Sequence, residues 1–382
     1  MISRWSSSRI SPRYRQNVQL FSSKNDCVFA LALGFRRSRN RYQSHMTLSG
    51  AFNALKSSNI ISWKSTGRLQ QTLSGCIERS GKTLHSGEVS TVRIWPEYAG
   101  QGRYFVFQSK LIPASIVFVK ESSLCTTLCK DGFRVRTVEH LLSALEAKGV
   151  DNCRIEIGNL DSENQEVEVP IFDGSASTWV EAIEQVGMKE ALDQRGKTGE
   201  KLAPYLNEPV YVWKNDSFVA AFPSPKLQIT YGIDFPQVPA IGRQWFSSAP
   251  LDDSFYEMHI ASSRTFCIYE EVESMRNLGL IKGGSLENAI VCSGSEGWLN
   301  PPLRFHDEPC RHKVLDLVGD LSLLACSGSQ GIPVAHIVAF KGSHALHADF
   351  ARSLSRTRMV VENSLAENIF IHSKVSEVVN EN

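Results

Sequence analysis

The sequence lacks a long apolar run, a strong net charge and a paired arrangement of cysteines. The run from Val28 to Phe35 is too short to span a bilayer, so no integral membrane segment is expected. The net charge of +1 gives no general attraction to nucleic acid. The nine cysteines are scattered, and neither a second pair nor a nearby histidine completes a zinc site around Cys125 and Cys129. A soluble globular protein without a disulfide framework is therefore expected.

Acidic residues are nearly missing from residues 1–50, where Asp26 stands against nine Lys or Arg and ten Ser. An Arg-rich, Ser-rich and acid-poor N-terminus is typical of an organelle transit peptide, with a disordered basic tail as the alternative. The repeated arginines between Arg36 and Arg41 favour a mitochondrion over a plastid. We expect residues 1–66 to form a transit peptide and a polar lead-in.

From Gln70 onward the hydrophobic pattern alternates between strand and helix periods. The predicted strands lie at 90–95, 104–107, 153–157, 210–213, 219–222, 227–233 and 336–340. The predicted helices lie at 137–148, 175–186, 270–278 and 312–324. The polar stretch 188–205 is predicted to be a linker. The fold class is therefore predicted as α+β, with two similar domains at 67–200 and 201–382, each a β-sheet layered with two helices. No sequence repeat relates the two halves.

One predicted helix carries three polar residues among apolar ones. His312, Asp316 and Asp320 share a helix face, and a histidine with a carboxylate four residues later can chelate zinc. A lone pair of this kind is more often part of a solvated or salt-bridged helix face.

Two further motifs carry histidine. Glu139 and His140 stand near the predicted start of a helix, where an acidic residue usually only favours the helix dipole. His344 and His347 follow a predicted strand, on a loop where a histidine can act as an acid or base or simply cap a helix. Spacing alone therefore permits a metalloenzyme without identifying its reaction.

Eight blocks of sequence follow one another between about Gln70 and about Leu354. They are Leu84-His-Ser-Gly87, Thr137-Val-Glu-His140, Glu168-Val-Pro-Ile-Phe-Asp-Gly-Ser-Ala176, Ser263-Arg-Thr-Phe266, Gly283-Gly-Ser285, Leu303-Arg-Phe305, Arg311-His-Lys-Val-Leu-Asp-Leu-Val-Gly-Asp320 and Phe340-Lys-Gly-Ser-His-Ala-Leu346. In this order they resemble the UDP-3-O-acyl-N-acetylglucosamine deacetylases of lipid A biosynthesis, the LpxC family. The resemblance covers nearly the whole chain after the expected presequence.

The resemblance implies one Zn²⁺ per chain, held at the interface of the two domains by His140, His312 and Asp316, with a fourth position open. It implies that Glu139 is the general base and His344 the general acid. The other implied roles fall on Asp320 (orienting His344), Thr265 (stabilising the oxyanion) and the substrate-binding residues Phe266, Gly284 and Lys313.

The implied reaction is hydrolysis of the N-acetyl group of UDP-3-O-acyl-N-acetylglucosamine, giving UDP-3-O-acyl-glucosamine and acetate, the committed step of lipid A biosynthesis. The expected partner is this UDP-sugar acyl substrate, with no nucleic acid, and the chain is expected to be a monomer. By the family pattern, residues 268–286 form a hydrophobic passage for the acyl chain, with the apolar side chains of Ile268, Met275, Leu278 and Leu280 as candidate linings.

Two blocks depart from the family pattern. Lys341-Gly-Ser-His344 stands where Lys-Ser-Gly-His is usual, and Gly81-Lys-Thr-Leu84 replaces a more usual Gly-Val-Gly-Leu. The presequence points to a plant organellar member.

A catalytically silent, nucleotide-sugar-binding relative is one alternative, but it would have lost ligands or the acid–base pair. A fused dehydratase is another, but no extra domain is visible. Iron can replace zinc at His and Asp ligands.

Overall fold

Two five-stranded sheets form the framework of the chain in the computed structural model, which describes residues 60–120, 124–158, 165–300 and 302–355. The transit peptide expected within residues 1–66 lies outside the described residues up to position 59, and so does the tail after residue 355. No helix in these ranges is long and apolar enough to cross a membrane.

The described chain contains strands and helices throughout its length. In chain order the strands are β1 (Ile61–Leu69), β2 (Gln71–Leu73), β3 (Ile77–Lys82), β4 (Val89–Pro96), β5 (Arg103–Phe107), β6 (Lys110–Pro113), β7 (Val119–Lys120), β8 (Thr127–Lys130), β9 (Phe133–Arg136), β10 (Cys153–Gly158), β11 (Glu166–Glu168), β12 (Met188–Glu190), β13 (Glu200–Leu206), β14 (Val210–Lys214), β15 (Ser217–Pro223), β16 (Gln228–Phe235), β17 (Gly242–Ser247), β18 (Phe266–Ile268), β19 (Ile290–Ser293), β20 (Gly297–Trp298) and β21 (Ala335–Phe340). The α-helices are α1 (Glu139–Ala147), α2 (Ser177–Val186), α3 (Asp253–His259), α4 (Tyr269–Asn277), α5 (Glu308–Leu321) and α6 (344–355).

The two large sheets repeat one topology. Their strand orders are β3-β4-β10-β5-β6 in the first sheet and β14-β15-β21-β16-β17 in the second sheet. In each, the central strand is the last in the chain, and it pairs antiparallel with one neighbour and parallel with the other. A helix precedes each central strand, α1 in one case and α5 in the other. The prediction of an α+β fold with two similar halves is confirmed, and the division into domains at 67–200 and 201–382 stays a prediction.

The predicted linker at 188–205 is wrong, because this stretch contains strands. β12 pairs with β2, and β13 pairs with β1 along most of its length. The polar composition reflects exposure, since all three residues of β12 and two of the seven β13 residues are exposed. Polar residues on a solvent-facing strand carry no signal that distinguishes them from a loop.

The helices α1 and α5 pack against each other at very close range. A Cβ atom added at Gly319 of α5 would lie 2.1 Å from the carbonyl oxygen of Glu139 in α1. One turn away, the Ser143 hydroxyl donates to the carbonyl of Leu315 at 2.8 Å. Because all but the last residue of α1 are buried, this helix lies inside the protein rather than on its surface.

Helix α5 begins at Glu308 rather than at the predicted His312 and ends at Leu321, before a 3-10 turn at 322–324. Pro309 favours a helix start after it in the sequence, but proline is tolerated in the first turn of a helix, because its missing N–H has no helical partner there. The other three predicted helices lie within two residues of their observed bounds.

Replacing Gly319 by alanine tests the close approach of α1 and α5. The added methyl group meets backbone that cannot rotate away, so we expect Gly319→Ala to lower the free energy of unfolding by about 3 kcal/mol. Urea denaturation of the purified protein measures the change.

The matched control is Gly158→Ala, since a Cβ at Gly158 meets nothing within 4 Å. This control should change the free energy of unfolding by less than about 0.5 kcal/mol. Equal urea midpoints for wild type and Gly319→Ala would show that α1 and α5 can move apart without a measurable loss of stability, and would contradict the prediction.

Candidate metal and proton-transfer site

Three potential metal ligands meet where α1 and α5 cross. His140 lies in the first turn of α1, and His312 and Asp316 lie one turn apart on α5. Their ligating atoms all lie within 4.8 Å of one another, and all three residues are buried. The helical spacing of His312 and Asp316 supplies two groups on one face, and the α1–α5 crossing supplies the third.

The atoms of this trio are arranged for a cation. Oδ1 of Asp316 lies 3.5 Å from Nε2 of His140 and 3.4 Å from Nε2 of His312. This oxygen is buried and has no hydrogen-bond partner among the described residues. Leaving a buried carboxylate oxygen unpaired is unfavourable, and its position between two imidazole nitrogens suits a bound cation. The donor set of two nitrogens and one carboxylate oxygen fits a divalent transition metal.

The His312 ring is held in the tautomer that a metal requires. Its Nδ1 donates to the backbone carbonyl of Ser263 at 3.0 Å, which leaves Nε2 unprotonated and facing the trio. Burial lowers the pKa of His312 to about 4, although the carboxylate of Asp316 opposes this shift. The imidazole is therefore neutral near pH 7.

Asp316 is kept ionised in spite of its burial. Burial acts to raise its pKa, but His312, Lys313 and His344 outweigh that effect and hold the pKa well below its usual range. The Lys313 ammonium lies 2.7 Å from Oδ2 of Asp316, the oxygen that does not face His140 and His312. Lys313, predicted to bind substrate, thus lies beside the trio and pairs with one of its members.

Glu139 and His344 lie next to the trio with opposite electrostatic surroundings. Burial raises the pKa of Glu139 to about 7. Burial acts to lower the pKa of His344, yet the carboxylates of Asp320, Asp316 and Glu139 raise it to about 10. Oε1 of Glu139 lies 3.9 Å from Nε2 of His344. One group can therefore accept a proton near neutral pH while the other carries one.

Asp320 fixes the orientation of His344. Its Oδ2 accepts hydrogen bonds from Nδ1 of His344 and from Nδ1 of His347, both at 2.8 Å. Its Oδ1 accepts from the hydroxyl of Thr126 at 2.5 Å. Burial acts to raise the pKa of Asp320, but the two histidines lower it to about 2. Because Nδ1 of His344 donates to Asp320, Nε2 is the nitrogen that faces Glu139.

His347 lies in a tight contact with Tyr231 and Gly342. Its Nε2 accepts from the Tyr231 hydroxyl at 2.9 Å. A Cβ at Gly342 would lie 2.3 Å from that hydroxyl oxygen and 2.7 Å from Nε2 of His347, so a serine does not fit at 342. The glycine at 342 therefore leaves room for the Tyr231–His347 hydrogen bond. His344 itself begins α6, where the sequence predicted a loop.

The segment from Ser263 to Phe266 is anchored by a buried carboxylate. Glu308 accepts from the backbone N–H of Arg264 at 3.0 Å and from its guanidinium at 2.8 and 3.1 Å. Thr265 follows, with its backbone N–H donating to the carbonyl of Gly174 at 2.7 Å. Glu308 thereby positions both the carbonyl that orients His312 and the threonine predicted to stabilise an oxyanion.

The remaining predicted residues lie on neighbouring segments. Phe266 begins β18, and its ring packs edge-to-face against Phe235 with centroids 5.5 Å apart. Gly284 lies in a glycine pair where a Cβ on the adjacent Gly283 would lie 2.0 Å from the carbonyl of Thr83. The glycines therefore allow two loops to pack closely, and their contact with substrate stays a prediction.

A buried trio of two imidazoles and a carboxylate, next to a proton acceptor and a proton donor, defines the class of metal-dependent hydrolases. The family model for UDP-3-O-acyl N-acetylglycosamine deacetylase matches residues 70–356. The chain belongs to this family, which confirms the resemblance seen in the sequence blocks.

Similar proteins are found in a plant and in cyanobacteria. A protein of Arabidopsis thaliana named "Probable UDP-3-O-acyl-N-acetylglucosamine deacetylase 1, mitochondrial" is 62% identical over 304 residues, 80% of this chain and 93% of the relative. A UDP-3-O-acyl-N-acetylglucosamine deacetylase of Thermosynechococcus vestitus is 46% identical over 294 residues, 76% of this chain and 95% of the relative. One of Trichormus variabilis is 46% identical over 292 residues, 75% of this chain and 98% of the relative.

The structure brings six of the ten predicted site residues into one cluster. A seventh, Lys313, lies at the edge of this cluster and pairs with Asp316. The six are Glu139, His140, His312, Asp316, Asp320 and His344. Sequence reasoning named no role for Thr126 or Glu308, and it did not identify His347 as a partner of Asp320. Thr126 and His347 touch Asp320 from distant segments, and no periodic spacing marks such contacts. Glu308 lies one turn before His312 on α5, so an earlier helix start could have revealed it.

Removing the buried Glu308 carboxylate tests its anchoring role. Glu308→Ala leaves the Arg264 guanidinium largely buried without its partner, and we expect the free energy of unfolding to fall by about 3–5 kcal/mol. Thermal and urea unfolding measure this change. Glu78→Ala, which removes an exposed ion pair with Arg93, should leave the unfolding midpoint nearly unchanged. An equally small shift in both variants would contradict the anchoring role.

Proposed function

We propose that this chain hydrolyses the N-acetyl group of UDP-3-O-acyl-N-acetylglucosamine, releasing acetate and UDP-3-O-acyl-glucosamine in the committed step of lipid A biosynthesis. The observation that carries the proposal is the buried trio of His140, His312 and Asp316, with Glu139 and His344 directly beside it. The names of the 62% and 46% identical relatives support the same substrate.

The proposed cofactor is one Zn²⁺ per chain, with His140, His312 and Asp316 as its ligands. Two imidazoles and one carboxylate form a usual set for catalytic zinc, and three protein ligands leave one coordination position open. When bound, zinc supplies a Lewis acid that polarises the amide carbonyl and makes water more acidic.

Glu139 is the proposed general base. Its Oε2 accepts from the backbone N–H of Thr126 at 3.0 Å, which leaves Oε1 as the oxygen available to the reacting water. A carboxylate with a pKa of about 7 has a proton affinity suited to taking a proton near neutral pH.

His344 is the proposed general acid, and Asp320 is the carboxylate that orients it. With Nδ1 donating to Asp320, the proton on Nε2 is free to move to the leaving amine. Its Nε2 lies 3.8 Å from Oδ2 of Asp316, so the proton donor lies close to the proposed zinc ligands. The hydroxyl of Thr265 is proposed to donate to the developing oxyanion.

Substrate binding is proposed for Phe266, Gly284 and Lys313, and the acyl passage for residues 268–286. Helix α4 within this stretch has no buried residue, and Leu278 just after it is 76% exposed. Apolar side chains on an unburied helix are available to contact an acyl chain, in contrast to Ile268, which is buried in the core.

We propose that the chain acts in the mitochondrion, with the plastid as the alternative, and as a monomer. The mitochondrial label in the names of the Arabidopsis relatives and the Arg-rich, acid-poor N-terminus support this location. The supply of every ligand and proton-transfer group from one chain supports a monomer.

A deacetylation assay with and without metal tests the proposed function. The purified mature chain should release acetate from UDP-3-O-acyl-N-acetylglucosamine, and removal of its metal by a chelator should lower the rate by more than about 100-fold. One equivalent of Zn²⁺ should restore it. Turnover that survives verified removal of metal would sink the metal-dependent mechanism.

Two alanine variants separate the ligand role from the base role. Asp316→Ala should lose bound zinc, because it removes one of three ligands. Glu139→Ala should keep one zinc per chain and lower turnover by roughly 100- to 10,000-fold. Atomic absorption and initial rates measure the two effects. Each variant is the other's control, since both remove a buried carboxylate, and equal zinc loss in both would refute the division of roles.

A further inference from the structure

Thr126 contacts both the proposed general base and the carboxylate proposed to orient the general acid. Its backbone N–H donates to Oε2 of Glu139 at 3.0 Å, and its hydroxyl donates to Oδ1 of Asp320 at 2.5 Å. The hydroxyl oxygen also lies 3.3 Å from Nδ1 of His344. Among the described residues, Thr126 alone is hydrogen-bonded to both carboxylates.

In each carboxylate, one oxygen accepts a hydrogen bond from Thr126 and the other oxygen faces His344. Glu139 has Oε2 on Thr126, so Oε1 faces Nε2 of His344 at 3.9 Å. Asp320 has Oδ1 on Thr126, so Oδ2 receives Nδ1 of His344 at 2.8 Å. With both oxygens of Asp320 occupied by donors, rotation of its carboxylate about the Cβ–Cγ bond is restrained, and the acceptor for His344 keeps its direction.

Thr126 is itself held in place by backbone contacts. Its carbonyl accepts from the N–H of Val138, the residue before α1, at 3.4 Å. The next residue, Thr127, begins β8 and pairs with Arg136 of β9. The hydroxyl therefore projects from a fixed point beside the start of α1 toward Asp320, which lies 194 residues away in the sequence.

The geometry points to Thr126 as a positioning residue for the deacetylation reaction, one that sets the general acid pair His344–Asp320 in fixed relation to the general base Glu139. This inference rests on the proposed function. The Thr126 hydroxyl donates to Asp320 and touches no reacting atom, so it acts through the orientation of His344. Without it, Oδ1 of Asp320 is a buried carboxylate oxygen with no donor, and the carboxylate can turn away from His344.

The test compares three variants of the zinc-loaded enzyme in the deacetylation assay. Thr126→Val removes the hydroxyl at nearly constant volume, and we expect kcat to fall roughly 10- to 100-fold while KM stays within about twofold. Thr126→Ser keeps the hydroxyl and should retain kcat within about threefold of wild type. Thr127→Val, the same change on the next residue, should leave kcat and KM unchanged. Bound zinc should be equal in all three.

A double-mutant cycle with His344→Gln separates positioning from general loss of structure. If Thr126 acts through His344, Thr126→Val should lower kcat less than about threefold once His344 is already replaced. If Thr126→Val lowers kcat by the same factor in the wild type and in His344→Gln, the proposal is overturned. A readout without turnover is the low-field proton resonance of Nδ1–H of His344, which should move in Thr126→Val and stay in place in Thr127→Val.

The remaining outcomes also decide the question. If wild type does not deacetylate the substrate, the proposed function fails, and the resonance alone then reports on Thr126. If wild type is active and Thr126→Val matches it, the inference about Thr126 is wrong. If Thr126→Val and Thr126→Ala both fail to fold while Thr126→Ser folds, the hydroxyl serves the fold, and the proposal is overturned.

Discussion

The close packing of α1 against α5 is the contact on which the site depends. At the crossing, Gly319 faces the backbone carbonyl of Glu139 with no room for a methyl group between them. This approach brings His140, at the start of one helix, beside His312 and Asp316 on the other. It also brings Glu139 into the same buried region as Asp320. A larger residue at 319 would separate the metal trio and the proton-transfer groups together, because both depend on one crossing.

Burying so many charges requires that they balance locally. Three carboxylates, on Glu139, Asp316 and Asp320, lie within the same buried cluster. Opposing them are the ammonium of Lys313 and the protonated ring of His344, while burial keeps His312 neutral. Three carboxylates face two cationic groups, and the negative charge left over in the cluster favours a divalent cation bound at the trio. The charge balance of the cluster is therefore compatible with the cation proposed to bind there.

Sequence patterns predicted the parts of this arrangement that are local. Helical periodicity put His312, Asp316 and Asp320 on one face, and hydrophobic alternation located seven strands of the large sheets. The family resemblance supplied His140 as a proposed ligand, 172 residues from His312, which no spacing rule can pair with it. Thr126 and His347 were missed as partners of Asp320, because a hydroxyl on a loop and a histidine on a helix have no pattern until the chain is folded. The supposed linker failed for a related reason: pairing of β13 with β1 is a contact between distant segments, and polar residues on an exposed strand look like a loop.

The repeated topology explains why the site lies where it does. In both halves, a helix precedes the central strand of the sheet, and these two equivalent helices, α1 and α5, are the ones that cross. The sequences of the halves share no visible repeat, yet the backbone arrangement is the same. The functional groups are distributed unequally on this symmetric frame, with two at the start of α1 and three along α5. Since α5 holds two of the proposed metal ligands and the carboxylate proposed to orient His344, its single face fixes their spacing by helical geometry. The α1 residues add what that face cannot supply, namely the proposed third ligand and the proposed general base, which approach from the opposite side.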